Sequence, residues 1–242
     1  MSRRIVFLLT LGFVVSTGCA RPMATATHVP FGVVEVGIPE LQKAMTEGRV
    51  TSRQLVVEYL TRIALYEDQL KAIITVNPKV LEEAGALDRE RAQGRLRGPL
   101  HGIPIAIKDN IHTTDMPTTG GAVAFEGYRP PYEATVTRNL RAAGAIIIAK
   151  TVLTELANLV AGAPKPMPAN YSGLAGYGLN PYDPRRDPRG GTNDGRPALF
   201  TGGSSSGIGT AASFWAASVG TETSGSILSP SNQNMLDRKS VV

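Results

Sequence analysis

The sequence predicts an α/β layered fold, and three observations support this prediction. Short apolar segments with the character of strands alternate along the chain with segments of helical periodicity. One of them, at 145–149, is a continuous apolar run, which is typical of buried parallel strands. The composition is that of a globular protein, since 42% of the 242 residues are hydrophobic and 19% are charged. This length suits one large domain or two small ones.

The first half of the fold is predicted to contain three helices and one strand. Pro39 marks the start of a helix, because proline is favoured in the first helical turn. Thr51 or Ser52 supplies the cap of the next helix, where apolar residues follow helical spacing. The predicted elements are helix Ile38–Glu47, a longer helix from Thr51 or Ser52 to about Tyr66, strand Ile73–Val76 and a charged surface helix from Pro78 to Gln93.

The second half is predicted to contain two buried strands, two helices and a long loop. The loop at 162–203 is rich in proline and glycine, and loops of that length are usually functional or mobile. An alanine-rich segment after it is expected to be helical. The predicted elements are strand Ile103–Ile107, which ends at Lys108, helix Thr135–Ala143, strand Ala145–Ala149 and helix Gly209–Ser218.

Residues 1–26 have the pattern of a secretory signal. Arg3 and Arg4 precede an apolar run of about eleven residues, which is too short to span a bilayer of roughly 30 Å as a helix. Ala24-Thr25-Ala26 fits ordinary cleavage after Ala26, whereas Ser16-Thr17-Gly18-Cys19 resembles a lipobox that would make Cys19 a lipid anchor. We therefore expect an exported protein, periplasmic or extracellular, with a membrane-anchored lipoprotein as the second form.

Charge and cysteine content exclude several classes of function. The net charge is +5, but four basic residues lie in the two ends, so the middle of the chain is close to neutral. A domain that is close to neutral offers no electrostatic basis for binding nucleic acid. Cys19 is the only cysteine, which excludes an intramolecular disulfide and any multi-cysteine metal site.

The segment Gly202–Thr210, with three consecutive serines between glycines, is compatible with several functions when taken alone. Gly203-x-Ser205-x-Gly207 fits a nucleophile elbow. Gly207-x-Gly209-x-x-Ala212 fits a relaxed dinucleotide fingerprint, but the preceding stretch is rich in turns rather than a strand. A flexible linker is the third interpretation.

Two further segments narrow the choice, because all three together closely resemble the amidase signature family. They are the lysine strand Gly102–Asn110, the Gly-Gly-Ser-Ser loop and the turn Gly220–Ile227, in the family's order. The resemblance implies a mixed twisted sheet wrapped by helices. It also implies a catalytic lysine, bridging serine and nucleophilic serine, which match Lys108, Ser204 and Ser226. The oxyanion hole would be formed by the backbone N–H groups of Thr223, Ser224, Gly225 and Ser226.

This resemblance implies hydrolysis of a carboxylic or peptide amide through a serine acyl-enzyme, without a cofactor or metal. Neutral Lys108 would act as the base, because burial behind an apolar strand lowers the pKa of a lysine. The expected partner is a small-molecule or peptide amide, with no nucleic acid. The alternatives are an inactive fragment, a binding module or a glutamine-amidotransferase-like subunit.

Histidine is the rival base. His101 and His112 flank Lys108, and a Ser-His-Asp set with Asp109 or Asp115 is formally compatible with the sequence, as is a metal site. Asp109 and Asn110 are expected to orient the end of the lysine strand.

The domain boundaries follow from the same resemblance. Residues 27–236 are expected to be the amino-terminal part of an amidase domain, and residues 237–242 a tail outside the family pattern. We accordingly expect the chain as written to be neither stably folded nor active.

Overall fold

The computed structural model describes residues 31–158, 170–189, 194–203 and 207–237, and these ranges form an α/β fold. Six helices and six strands occur within them, together with short turns of 3₁₀ type at Val123–Phe125 and Glu155–Asn158. In chain order they are α1 (Ile38–Thr46), α2 (Ser52–Leu70), β1 (Ile73–Val76), α3 (Val80–Ala92), β2 (Pro104–Lys108), α4 (Thr135–Ala142), β3 (Ile146–Thr151), β4 (Tyr171–Ser172), β5 (Gly176–Tyr177), α5 (Gly207–Ala211), β6 (Ala217–Val219) and α6 (Leu228–Gln233).

The main sheet of the described ranges is mixed and has the strand order β1-β3-β2-β6. Strand β1 runs antiparallel to β3, whereas β2 runs parallel to both β3 and β6. Helices α2 and α3 pack against each other and contact strands β2 and β3 respectively. The mixed α/β architecture is therefore confirmed, and the carboxyl ends of β2, β3 and β6 meet at one edge of the sheet.

Strands β2 and β3 form the centre of the core. Every residue of both strands is buried, although each strand ends on polar residues. The parallel pairing places Ile107 beside Lys150 and Lys108 beside Thr151. A parallel strand that is covered on both faces consists largely of apolar residues, and for this reason the sequence alone predicts both strands.

Helix α2 begins where the sequence predicted and ends one turn later than predicted. The Thr51 side chain accepts the N–H of Gln54, and the Gln54 side chain accepts the N–H of Thr51, which completes a capping box. At the other end, the Glu67 carboxylate accepts the N–H groups of Ala72 and Ile73. These hydrogen bonds stabilise the extra turn. Their acceptor, Glu67, lies beyond Tyr66, where helical periodicity predicts the end of the helix.

The prediction of a helix over Gly209–Ser218 is wrong. Helix α5 ends at Ala211, and the chain then turns at Ser213, whose φ is 52°, before it enters β6. The indole ring of Trp215 packs directly over Gly209, where a Cβ atom would lie 2.3 Å from it. Pairing of Ala217–Val219 with β2 overrides the helix propensity of the alanines.

The long proline-rich loop contains structure of its own in its described part. Strands β4 and β5 form an antiparallel two-stranded hairpin, and an isolated bridge joins Arg186 to Pro197. The loop therefore turns back on itself before it reaches the Gly202–Gly203 segment.

The predicted signal segment 1–26, with Cys19 and Ala26, lies outside the described residues. So do Ser204, Ser205 and Ser206, and residues 238–242 of the predicted tail. In the ranges that the structure describes, no helix is both long and apolar enough to cross a membrane.

Candidate active site

Lys108 is the last residue of β2, and its side chain is fully buried. Its Nζ atom donates to Thr221 Oγ1 at 2.9 Å and lies 3.3 Å from the Thr221 carbonyl oxygen. This contact follows from the topology, because β6 runs parallel to β2 with Val219 beside Ile107. The chain that leaves β6 therefore emerges next to the end of the lysine strand.

Burial changes the acid–base behaviour of this lysine. Desolvation lowers the pKa of Lys108 to about 8, against a weaker opposing effect of the Glu222 carboxylate, which favours the ammonium. A lysine with this pKa is partly neutral just above neutral pH. It can then accept a proton, as a general base must.

Asn110 joins the same cluster from the turn after β2. Its Nδ2 donates to Thr221 Oγ1 at 3.0 Å, so the Thr221 hydroxyl is held by both Lys108 and Asn110. Asn110 and Thr221 also line a cleft of about 480 Å³. The remaining lining is largely apolar and consists of Ile111, His112, Ala134, Val136, Val219 and Gly220.

The turn that contains Ser226 is built around the carboxylate of Glu222. That carboxylate accepts the N–H of Gly225, the N–H of Ser226 at 2.8 Å, that of Ile227 at 2.5 Å and that of Leu228 at 3.0 Å. Desolvation acts to raise the pKa of Glu222, but these four hydrogen bonds outweigh it and hold the pKa below its usual value. The turn is thus a nest of convergent N–H groups that binds a negative charge.

Two of the N–H groups that the resemblance assigns to an oxyanion hole, those of Gly225 and Ser226, belong to this nest. In this structure they donate to Glu222. The anion-binding character of the turn is therefore visible, and its occupant is a side chain of the same chain.

The ends of the serine loop lie against α6, the helix that follows Ser226. A Cβ atom on Gly202 would lie 2.4 Å from the Pro230 backbone, and one on Gly207 would lie 3.0 Å from the Pro230 carbonyl oxygen. Asn234 Nδ2 donates to the Thr201 carbonyl oxygen at 2.9 Å. The described residues on both sides of 204–206 are therefore packed on the element next to Ser226.

His101 lies at the opposite end of β2 from Lys108. It is buried, its Nδ1 accepts the N–H of Arg97 at 3.2 Å, and its Nε2 lies 3.0 Å from the Leu87 carbonyl oxygen. Both ring nitrogens therefore have structural partners. His112 lines the cleft, with its ring 5.2 Å from that of Tyr132.

The carboxylates considered as partners for a histidine base are paired with cations. Asp109 Oδ1 lies 3.1 Å from Lys150 Nζ, and Asp115 Oδ2 accepts a hydrogen bond from Arg141 at 2.6 Å. Among the described residues, no group of three or more His, Cys, Asp or Glu side chains is arranged to hold a metal ion.

Three polar residues of this region were missed by the sequence reasoning: Lys150, Thr221 and Glu222. Lys150 directly follows a buried apolar run, as Lys108 does, and that repeated pattern could have identified it. Thr221 and Glu222 stand beside the Ser226 turn in sequence, but only the pairing of β6 with β2 brings Thr221 to the lysine.

The chain is similar in sequence and in fold to known amidases and to an amidotransferase subunit. Over 233 residues the chain is 35% identical to a probable amidase of Arabidopsis thaliana, a match that covers 95% of this chain and 42% of that protein. It is 38% identical to a glutamyl-tRNA(Gln) amidotransferase subunit of Thermobifida fusca, covering 82% of this chain and 36% of the relative. The native peptide amidase of Stenotrophomonas maltophilia has a similar structure, with a TM-score of 0.65 and 39% identity over 77% of this chain and 36% of that one.

The chain thus spans about two fifths of the length of these relatives. Residues 54–236 match the model of the amidase family, and this range includes the lysine strand, both flanks of the serine loop and the Ser226 turn. By that match the chain belongs to the amidase signature family.

Proposed function

We propose that the protein hydrolyses a carboxylic or peptide amide, with Ser226 as nucleophile, Ser204 as bridging serine and Lys108 as base. The strongest support is the burial of Lys108 at the end of β2, where its Nζ atom donates a hydrogen bond to Thr221. Thr221 belongs to the segment that leads into the Ser226 turn. Lys150 is buried too, but it is paired with the Asp109 carboxylate, whereas Lys108 donates to the neutral Thr221 hydroxyl and has a pKa of about 8, as expected of a general base.

In this mechanism neutral Lys108 accepts a proton from Ser204, which takes the proton of Ser226. The Ser226 Oγ atom attacks the amide carbonyl carbon and forms a tetrahedral intermediate. Collapse of the intermediate breaks the C–N bond, and the proton held by the lysine passes through Ser204 to the departing amine. Water, deprotonated along the same path, then hydrolyses the ester.

In this mechanism the backbone N–H groups of Thr223, Ser224, Gly225 and Ser226 form the oxyanion hole and stabilise the oxyanion of both tetrahedral intermediates. Each well-aligned N–H donor of such a hole contributes typically about 3 kcal/mol to transition-state stabilisation. Because the Gly225 and Ser226 donors bind Glu222 here, oxyanion binding requires that the Glu222 carboxylate withdraw from these two groups.

The substrate class proposed is a small-molecule or peptide amide. The structural similarity to a peptide amidase supports a peptide amide in particular. The largely apolar cleft beside Thr221 suits an acyl chain or an apolar side chain of such a substrate.

A fluorophosphonate probe tests this function, because it reacts with an activated serine regardless of the natural substrate. In protein folded as the structure describes, we expect covalent labelling of Ser226, identified by peptide mass spectrometry, and its loss in Ser226→Ala. A chain that is neither stably folded nor active, as the sequence alone leads us to expect, would not be labelled. Ser205→Ala is the matched control and is expected to retain labelling. Labelling that survives Ser226→Ala and disappears in Ser205→Ala would replace the triad with the nucleophile-elbow interpretation. A wild-type protein that is folded but unlabelled would indicate an inactive fragment or binding module instead.

A second candidate function is release of ammonia from glutamine, as part of an amidotransferase. The 38% identity to a glutamyl-tRNA(Gln) amidotransferase subunit supports it. Ammonia release from free glutamine and from carboxyl-terminally amidated peptides, measured side by side, separates the two functions. We expect the amidated peptides to be the better substrates.

We further propose that the protein is exported, by cleavage after Ala26 or by lipid attachment at Cys19. The basic residues, the short apolar run and the small residues that follow support this proposal. Export would separate the protein from tRNA, which favours amide hydrolysis over the amidotransferase role.

A further inference from the structure

We propose that the buried ion pair between Lys150 and Asp109 has two effects on Lys108. It fixes the orientation of Lys108, and, because each member neutralises the other, it keeps the interior next to Lys108 free of an unpaired charge. The inference rests on the role of Lys108 in the proposed function. Lys150 and Asp109 would be positioning residues, since neither is placed to touch the reacting atoms.

The pair is entirely enclosed by protein. Both side chains are fully buried, and Lys150 Nζ lies 3.1 Å from Asp109 Oδ1. Lys150 Nζ also donates to Thr118 Oγ1 at 2.7 Å and to the Pro117 carbonyl oxygen at 3.1 Å. A buried charge without a partner is strongly unfavourable, so the two residues constrain each other.

Asp109 transmits this constraint to the backbone beside Lys108. Its Oδ2 accepts the N–H of Thr119 at 3.0 Å and a hydrogen bond from the Thr119 hydroxyl. Its own N–H donates to the Thr151 carbonyl oxygen, and its carbonyl accepts the N–H of Gly120 at 3.1 Å. The residue that follows Lys108 is therefore held through both its side chain and its backbone.

Strand geometry separates the pair from the catalytic face. Lys150 is the register partner of Ile107, so the two side chains lie on the same face of the sheet. Asp109, two residues after Ile107, continues that face and meets Lys150. Lys108 lies between Ile107 and Asp109 in sequence, so its side chain points to the opposite face of the sheet, where it reaches Thr221.

The electrostatic consequence concerns Asp109, the residue next to Lys108, because its negative charge is neutralised by the ammonium group of Lys150. The charge that faces Lys108 from the Ser226 turn is Glu222, which favours its protonated form. On the other face, Asp115 also acts on Lys150, and Asp115 is itself paired with Arg141. Removing Lys150 would leave the carboxylate of Asp109, the residue next to Lys108, without its counter-ion in the protein interior. Removing Asp109 would leave Lys150 unpaired on the neighbouring strand, where burial already lowers the pKa of Lys150.

The test measures how the midpoint of Lys108 titration changes in three variants. Two readouts are used: the pH dependence of fluorophosphonate labelling at Ser226, and the pH titration of the Lys108 ¹³Cε resonance, assigned with Lys108→Met. We expect Lys150→Met to move the midpoint up by about one pH unit, because it leaves the Asp109 carboxylate unpaired. We expect Asp109→Asn to move it down by less, because burial already lowers the pKa of Lys150 and an unpaired Lys150 is only partly charged. The double variant is expected to return it close to the wild-type value.

Glu90→Gln is the control, because it removes one charge of the exposed pair with Arg97 and is expected to leave the midpoint unchanged. A merely structural role would lower stability in both single variants without moving the midpoint in opposite directions, and that outcome would overturn the inference.

If the single variants do not fold, the charge-conserving variants Lys150→Arg and Asp109→Glu test whether the pair positions Lys108. They displace the paired atoms, so we expect labelling to slow by at least about tenfold at every pH with an unchanged midpoint. Wild-type rates in both would overturn the inference. An unlabelled wild-type protein would overturn the proposed function, while the ¹³Cε titration would still report whether the pair acts on Lys108.

Discussion

The acid–base state of Lys108 is set by its surroundings within a few ångströms. Burial removes the hydration that stabilises an ammonium, and the hydrogen bond to Thr221 compensates only in part. The same lysine at an exposed strand end would stay protonated at neutral pH. Its chemistry is thus a property of its position.

We expect labelling of Ser226 in the wild-type protein to rise with pH and to level off above about pH 8, because only neutral Lys108 accepts the proton. Lys108→Met should slow labelling by about 10²–10⁴-fold. It should not lower the Tm, because methionine has no charge to desolvate. Lys79→Met, at an exposed position, is the control and should behave as wild type. A profile with a midpoint near 6.5 that His112→Ala abolishes would assign the base to histidine instead.

Glu222 acts on the same lysine from the Ser226 turn. Its negative charge favours the ammonium form, so Glu222→Gln should shift the midpoint of the labelling profile to lower pH. The control is Glu126→Gln, which alters an exposed carboxylate. An unchanged or alkaline-shifted midpoint in Glu222→Gln would show that Glu222 does not face Lys108.

At the scale of elements, the site depends on how the flanks of the serine loop meet α6. Gly202 has a φ of 82°, and its missing side chain allows the Pro230 backbone to approach. Asn234 then fixes Thr201 to the same helix. A change at this junction should therefore affect both stability and the Ser226 turn.

Gly202→Ala should destabilise the protein by roughly 3 kcal/mol, since it combines a left-handed backbone conformation with a direct clash. Gly48→Ala is the matched control, because Gly48 has a φ of 69° but no atom within 4 Å of the place where an added Cβ would lie. It should cost about 1 kcal/mol. Denaturant unfolding of both variants gives the difference, and labelling of Ser226 should fall in Gly202→Ala alone. Equal costs would contradict the packing argument.

At the scale of the whole molecule, the question is where the protein acts. The basic residues at the two ends account for most of the net charge of +5, which leaves the domain itself nearly neutral. A nearly neutral domain behind a signal-like segment accords with the export and the amide hydrolysis that we propose, and it gives no electrostatic basis for binding nucleic acid.

Mass spectrometry of the mature amino terminus tests export. We expect a chain that begins after Ala26, or one that begins at a diacylglyceryl Cys19. The first outcome selects ordinary cleavage and the second a lipoprotein. An intact Met1 on the mature protein would refute export.

Much of the fold was accessible from local sequence patterns. Three of these patterns act over a few residues: the capping box at Thr51, the apolar runs before Lys108 and Lys150, and Pro39 in the first turn of α1. The helix predicted over Gly209–Ser218 failed because strand pairing with β2, more than a hundred residues away in sequence, decided its second half.

The sequence by itself determined the α/β class, the lysine strand and the resemblance that points to Lys108, Ser204 and Ser226. Only the tertiary structure decided the surroundings of those residues: the Lys108–Thr221 contact across 113 residues, the Lys150–Asp109 pair and the Glu222 carboxylate in the N–H nest. The reason is physical. Helix caps and apolar periodicity depend on neighbours along the chain, whereas desolvation and charge pairing depend on which strands lie side by side.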